Sequence, residues 1–254
     1  MTDNAFTRMG YKMGYLKDTY DHRDHLHMIP LDMPEMPPKF DLKGKIKQIF
    51  TQRYNDCSAN VISNVVMSLK EDDLVVSRLF QYYNSRFLAE PDFITDSGAT
   101  YRDALKGLQK FGFVNEEVWH YVDDNLNEIP STKAFTEGLS NTDFIRSYRK
   151  LAPTLPNIQY TLFSGHLIML GIAIYSTFLS LDSKAVVPLP NKEEDAFCGL
   201  HAVLMCGYDN DLQACLCLNS WGTSFGSGGY FYLPYLYVLD SNFAFDFWVI
   251  STKI

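Results

Sequence analysis

A chain of 254 residues, 46% hydrophobic and 15% aromatic, has the apolar content for a large core, which excludes disorder and suits one domain of two lobes. A net charge of −8 and a pI near 5.2 argue against nucleic acid or an anionic membrane as the main partner. No apolar run approaches the ~18–20 residues of a membrane span, and the opening MTDNAFTRMGYK lacks the apolar core of a secretory signal.

Residues 1–38 read as an N-terminal leader rich in Met, His, Pro and Asp. Prolines 30, 34, 37 and 38 punctuate an extended connector and disfavour a helical prodomain. Phe6, Tyr11, Met13, Tyr15, Leu16 and Tyr20 give the leader apolar surface with which to dock, on the outside of the body or into a cleft. His22, His25 and His27 have a spacing that suggests metal, but no second half of a site lies nearby, so no metal or cofactor is expected.

The stretch QRYNDCSANVISNVVMSL, Gln52 to Leu69, delivers Cys57 to the start of a helix whose apolar stripe is Val61, Ile62, Val65, Val66 and Leu69. Unpaired N–H groups at a helix start favour thiolate over thiol, although a free cysteine is more often just a small buried hydrophobe. Asp56 opposes that ionisation unless its carboxylate points away or caps the helix. Helical patterns continue over Asp72–Arg86, over TYRDALKGLQKFG ending on Gly112, and over Ser131–Lys150. Ser97-Gly98-Ala99 breaks the chain between them. From about Ala152 the pattern turns to β, with strands expected at Leu167–Tyr175, Ala202–Cys206, Ala214–Leu218 and Tyr230–Leu233. A helical half followed by a β half implies an α+β fold with segregated layers.

Of the five cysteines, Cys198, Cys206, Cys215 and Cys217 fall in the β half without zinc-site spacing and read as reduced core residues. That usage fits a reducing setting, intracellular (cytoplasmic) or virion-associated. Three separated pieces then come in order: Gln52 with Cys57-Ser58-Ala59, HAVLMCGYD with His201, and NSWGTSFGSGGYFYLPY with Asn219. His201 lies 201 − 57 = 144 residues beyond Cys57, inside the ~130–150 window associated with papain. On these motifs the chain resembles the papain-like cysteine peptidases, from roughly Phe40 to Trp248.

The resemblance implies a papain-like two-lobed α+β fold, a helical left lobe and an antiparallel β-barrel right lobe with the active-site cleft between them. Residues 39–254 would be the peptidase domain, with the helical lobe at about 48–151 and the β lobe at about 152–254. It implies Cys57 as thiolate nucleophile in an ion pair with His201, and Asn219 orienting the imidazole under the cover of Trp221. The Gln52 amide and the backbone N–H of Cys57 would form the oxyanion hole. Gly98, Ala99, Gly199 and Leu200 would line the site for a peptide or protein substrate. GYLKDTYDHRD is similar to the leader of signal-less members of the family, which favours a structural clamp over an inhibitory strap. Three departures stand out: Gln52 only five residues before Cys57, Ser58 after it where secreted relatives have Trp, and Phe225 at a second Trp position. A catalytically weak scaffold that binds peptides, or a thioester-using ligase or transferase, are the alternatives to a peptidase.

Overall fold

The structure is a computed structural model and describes residue 6 and residues 10–252. Its first half is built on four helices. Helix α1, Cys57–Ser68, is buried along nearly its whole length because it runs through the middle of the molecule. It packs on α2 (Arg78–Ala89), on α3 (Tyr101–Phe111) and on the strand that carries His201. The N-termini of α2 and α3 are satisfied by Ser77 and Thr100, which accept from Phe80 N and Asp103 N. Gly112 ends α3 at φ +69°, a left-handed turn suited to glycine. Helix α4, Thr132–Leu139, closes this lobe on the outside, its start capped by Ser131.

The other lobe is a seven-stranded antiparallel sheet, whose first strand comes before the helices and the rest after them: β1 Lys39–Asp41, β2 Ile145–Lys150, β3 Ile168–Tyr175, β4 Phe197–Asp209, β5 Ala214–Leu218, β6 Tyr230–Pro234 and β7 Ala244–Thr252. The order is β2-β7-β3-β4-β5-β6, with β1 added to β4. Strand β4 is the long one, and its register on β3 sets His201 opposite Ile172. Helices α5 (Leu155–Phe163) and α6 (Tyr235–Val238) complete the lobe. One continuous core joins α1 and α3 to the sheet.

Two expectations are corrected. The helix expected over Ser131–Lys150 stops at Leu139, and IRSYRK (145–150) instead pairs with β7 as an edge strand. Beyond the buried Ile145 its residues are mostly polar and half-buried, so periodicity gave it no apolar face to be read by. The boundary at 151–152 also fails: β2 belongs to the sheet, while α5 lies in the half read as β.

The leader is part of this body. Phe6 and Tyr15 are buried, whereas Leu16 and Tyr20 are exposed. Residues 25–27 add to the sheet edge, since Lys150 N donates to His25 O and His27 N to Lys150 O. Residues 1–5 and 7–9, which the leader reading included, lie outside the described residues.

Candidate active site

Cys57 is the first residue of α1 and is fully buried. Backbone N–H groups of Ala202, Gly14 and Ser58 face its sulfur and pull its pKa down, but burial dominates and pushes it up to about 12. Asp56 stands at the N-cap position but its side chain makes no capping bond; it is wholly buried, and its Oδ2 accepts from the Tyr121 hydroxyl at 2.9 Å. Burial raises the Asp56 carboxyl to about 7. It also adds to the upward push on Cys57.

His201 is fully buried on β4, and its Nε2 lies 2.8 Å from Asn219 Oδ1. That oxygen can only accept, so Nε2 carries the proton and Nδ1 keeps its lone pair. Nδ1 has no hydrogen-bond partner. Asn219 is itself fixed: Oδ1 also accepts from Ser220 N at 2.8 Å, and its N–H donates to Gly229 O. The Trp221 ring stacks on the imidazole at 4.7 Å and shields the His201–Asn219 bond. Burial lowers the His201 pKa to about 4. Burial thus opposes the charged forms of both the thiol and the imidazole while the leader fills the cleft.

Gln52 reaches the site from a loop pinned to the Asn219–Trp221 segment. Its N–H donates to Ser220 O at 2.8 Å, Thr51 bridges Trp221, and Ser220 Oγ donates to Gln52 Oε1. Those ties place the side chain in spite of the short spacing to Cys57. Gln52 Nε2 and Trp221 Nε1 both donate to the carbonyl of Lys12, at 3.2 and 3.1 Å. Two donors thus converge on a peptide oxygen; Trp221 Nε1 was not expected in that role.

The peptide oxygen belongs to the leader, which runs through the cleft and not round the back. Ala99 N donates to Gly14 O at 3.0 Å, Leu16 N to Ala99 O at 3.2 Å, and Tyr15 N to Leu200 O at 3.4 Å. A Cβ on Gly14 would lie 2.0 Å from Asn55 O, and one on Gly98 would lie 2.1 Å from Gly14 O. Gly199 faces Met13. The four expected substrate-lining residues, Gly98, Ala99, Gly199 and Leu200, thus all meet the leader. Its presence buries Cys57, so selective alkylation of that thiol in the intact chain is not expected; half-buried Cys198 is the more accessible sulfur. All five cysteines are free. Among the described residues no group of three or more His, Cys, Asp or Glu side chains could hold a metal, and no helix is long and apolar enough to cross a membrane.

The model of the papain family of cysteine proteases matches residues 92–236, which include His201 and Asn219 but begin beyond Gln52 and Cys57. An uncharacterized peptidase C1-like protein of Acanthamoeba polyphaga mimivirus is 30% identical over 94% of this chain and 86% of its own length. The crystal structure of xylellain, a cysteine protease from Xylella fastidiosa, superposes with a TM-score of 0.85 at 31% identity, over 95% of this chain and 96% of that one. A procathepsin B from Trypanosoma congolense shares the fold at TM-score 0.72 and 13% identity, over 98% and 89%. With these likenesses over nearly its whole length, and with a cysteine, a histidine and an asparagine gathered at one cleft, the chain belongs to the papain family of cysteine peptidases.

Proposed function

We propose that the chain hydrolyses peptide bonds through Cys57 and His201, and that its own leader occupies the cleft as an inhibitory strap. The observation that carries the first part is the His201–Asn219 bond, which leaves Nδ1 as a free base on the strand whose next residue, Ala202, turns its N–H to the Cys57 sulfur at a helix start. In an open cleft water reaches both groups, the desolvation that opposes their charged forms is relieved, and the proton passes from Sγ to Nδ1. The thiolate attacks the substrate carbonyl, whose oxygen takes the place of Lys12 O against Gln52 Nε2. His201 returns the proton to the leaving amine, and water hydrolyses the thioester.

What the strap presents to the nucleophile would protect it from cleavage. Gly14 offers an N–H to Cys57 Sγ, not a carbonyl carbon. Tyr15, the next residue, forms a parallel bridge with Ala99, which fixes that presentation. A peptide-library cleavage profile of the chain, with a Cys57→Ala control, tests the reading. Cleavage that vanishes in the control supports it; cleavage that survives in the control, or peptide binding with no turnover after the leader has been displaced, rejects it in favour of a scaffold.

A further inference from the structure

The loop that leads from the oxyanion amide to the nucleophile, Gln52-Arg53-Tyr54-Asn55-Asp56, is short and contains no glycine. One side chain from the stretch between α3 and α4 holds it at both ends. Arg53 N donates to the Tyr121 hydroxyl oxygen at 3.0 Å, and the same hydroxyl donates to Asp56 Oδ2 at 2.9 Å. A phenol has one proton to give and lone pairs to receive, so the two bonds do not compete. A single oxygen thus ties the residue after Gln52 to the residue before Cys57. Asp96 also reaches the loop, but it grips the middle, taking Asn55 N at 2.9 Å.

The shape of this loop decides where Gln52 aims. Its Nε2 donates to Tyr54 O at 3.0 Å and to Lys12 O at 3.2 Å. One amide hydrogen is engaged by the loop's own backbone, which leaves the other for the peptide oxygen in the cleft. A relaxed loop would carry the Tyr54 carbonyl away and turn the amide with it, and a misplacement of about 1 Å can cost about 10²-fold in rate. Tyr121 is itself braced. The Arg78 guanidinium lies 3.5 Å over its ring and makes two bonds to Glu116, at 3.0 and 2.9 Å. Asp56 depends on the phenol in return, since it is fully buried and its Oδ1 has no hydrogen-bond partner among the described residues. An acid beside the nucleophile hinders ionisation of the thiol; the clasp gives that acid a use.

We propose that Tyr121 is a positioning residue for the oxyanion hole: through Arg53 and Asp56 its hydroxyl fixes the spacing between the Gln52 amide and the N–H of Cys57. This rests on the peptidase reading above.

The experiment uses the full chain carrying Asp18→Ala, which removes the leader's bonds to Arg102 N and Trp248 Nε1 and so eases access to the cleft. In that chain Tyr121→Phe keeps the ring under Arg78 and deletes only the hydroxyl. For a cleaved peptide kcat should fall by about tenfold or more, with KM changed by less than about threefold. Alkylation of Cys57 by iodoacetamide, a displacement that builds no oxyanion, should not slow. Asp56→Ala should also lower kcat, the two changes together should cost little more than either alone, and Asp56→Asn, which still accepts from the phenol, should retain most of the rate. In amide NMR spectra the Gln52 side-chain signal, assigned by its loss in Gln52→Leu, should shift in Tyr121→Phe. Melting temperatures confirm that each variant is folded. An unchanged kcat, alkylation that slows by the same factor as kcat, or additive losses would overturn the proposal. If no chain cleaves, the peptidase reading fails, and the Gln52 signal decides for the clasp by itself: a shift upholds it and an unmoved signal overturns it.

Discussion

Residues 11–16 and residues 18–27 of the leader meet the same body through different chemistry. The first stretch is held largely through backbone: Lys12 O on Gln52 and Trp221, Gly14 and Leu16 on Ala99, Tyr15 on Leu200. Many peptides could make those bonds. The second stretch is held by side chains particular to this chain. Asp18 accepts from Arg102 N and Trp248 Nε1, and Asp24 pairs with Arg102 at 2.5 Å and Lys150 at 3.3 Å. The lesson is a division of labour. The anchor holds the cleft segment at high effective concentration, so contacts too unspecific to compete alone can still exclude a substrate.

The widest separation of the two stretches comes from Gly14→Ala. The new methyl has no room against Asn55, so the cleft segment must lift while the anchor stays. Peptidase rate should rise by about tenfold or more, and iodoacetamide labelling should move from Cys198 to Cys57. A variant as silent as the parent, with Cys57 still protected in a mass-spectrometric map, would show that the anchor alone governs the cleft.

On the enzyme side of the cleft, Asp56 should dominate the pH dependence of stability. Its native carboxyl keeps a proton up to about 7, whereas an ordinary one releases it near 3.8. The native state binds more protons across that window, so stability falls as pH rises through it, by up to about 4 kcal/mol. Asp56→Asn should flatten that part of the profile in urea melts at pH 4 to 8. An unchanged slope would place the carboxyl's proton elsewhere.

Weakening the anchor should act more gently. Asp18→Ala removes acceptors from a backbone N–H and from an indole N–H, about 1–3 kcal/mol of docking. Cleavage by the intact chain should rise several-fold, together with a lower Tm. Burial and Asp246 raise the Asp18 pKa, so its grip is full in acid and slackens as pH rises through the raised value.

The smallest effect belongs to His27, whose ring lies 5.7 Å from His166. Burial, His166 and Arg149 lower its pKa, and burial and Lys45 lower that of His166. The contact is intact above pH 6.5 and is lost as pH falls through the lowered values. His27→Gln should remove acid loosening of residues 25–27 as read by hydrogen exchange. An acid response that persists would implicate another group.

Much of this was legible in residue order. The apolar stripe after Cys57, the glycine stop at 112 and the run at 167–175 each carry a local pattern that the packed structure keeps. Cys57, His201 and Asn219 announced themselves through motifs with widely separated positions; the fold pairs His201 with Asn219 and sets the N–H of Ala202, next to His201, against the Cys57 sulfur. Strand β2 did not, because an edge strand needs partners more than it needs an apolar face. Nor did the leader's path: Gly14 matters for the atoms it lacks against Asn55, a relation between residues 41 apart in sequence. Asp246, which accepts from the Tyr15 hydroxyl, left one faint signal, a lone acid inside the apolar run NFAFDFWVI. Only the structure could say which face of that strand it served.

Three tryptophans are present, and two of them donate their indole N–H to the leader. Trp221 touches Lys12 O in the cleft and stacks on Tyr11 at 4.4 Å; Trp248 touches Asp18 in the anchor. The molecule therefore carries an intrinsic optical probe at each end of its strap. Emission from a Trp221→Phe chain would follow the anchor, and from a Trp248→Phe chain the cleft, with Trp119 as a common background. Stopped-flow mixing could then time the two ends separately, without a label, and order the events that lead from a filled cleft to an empty one.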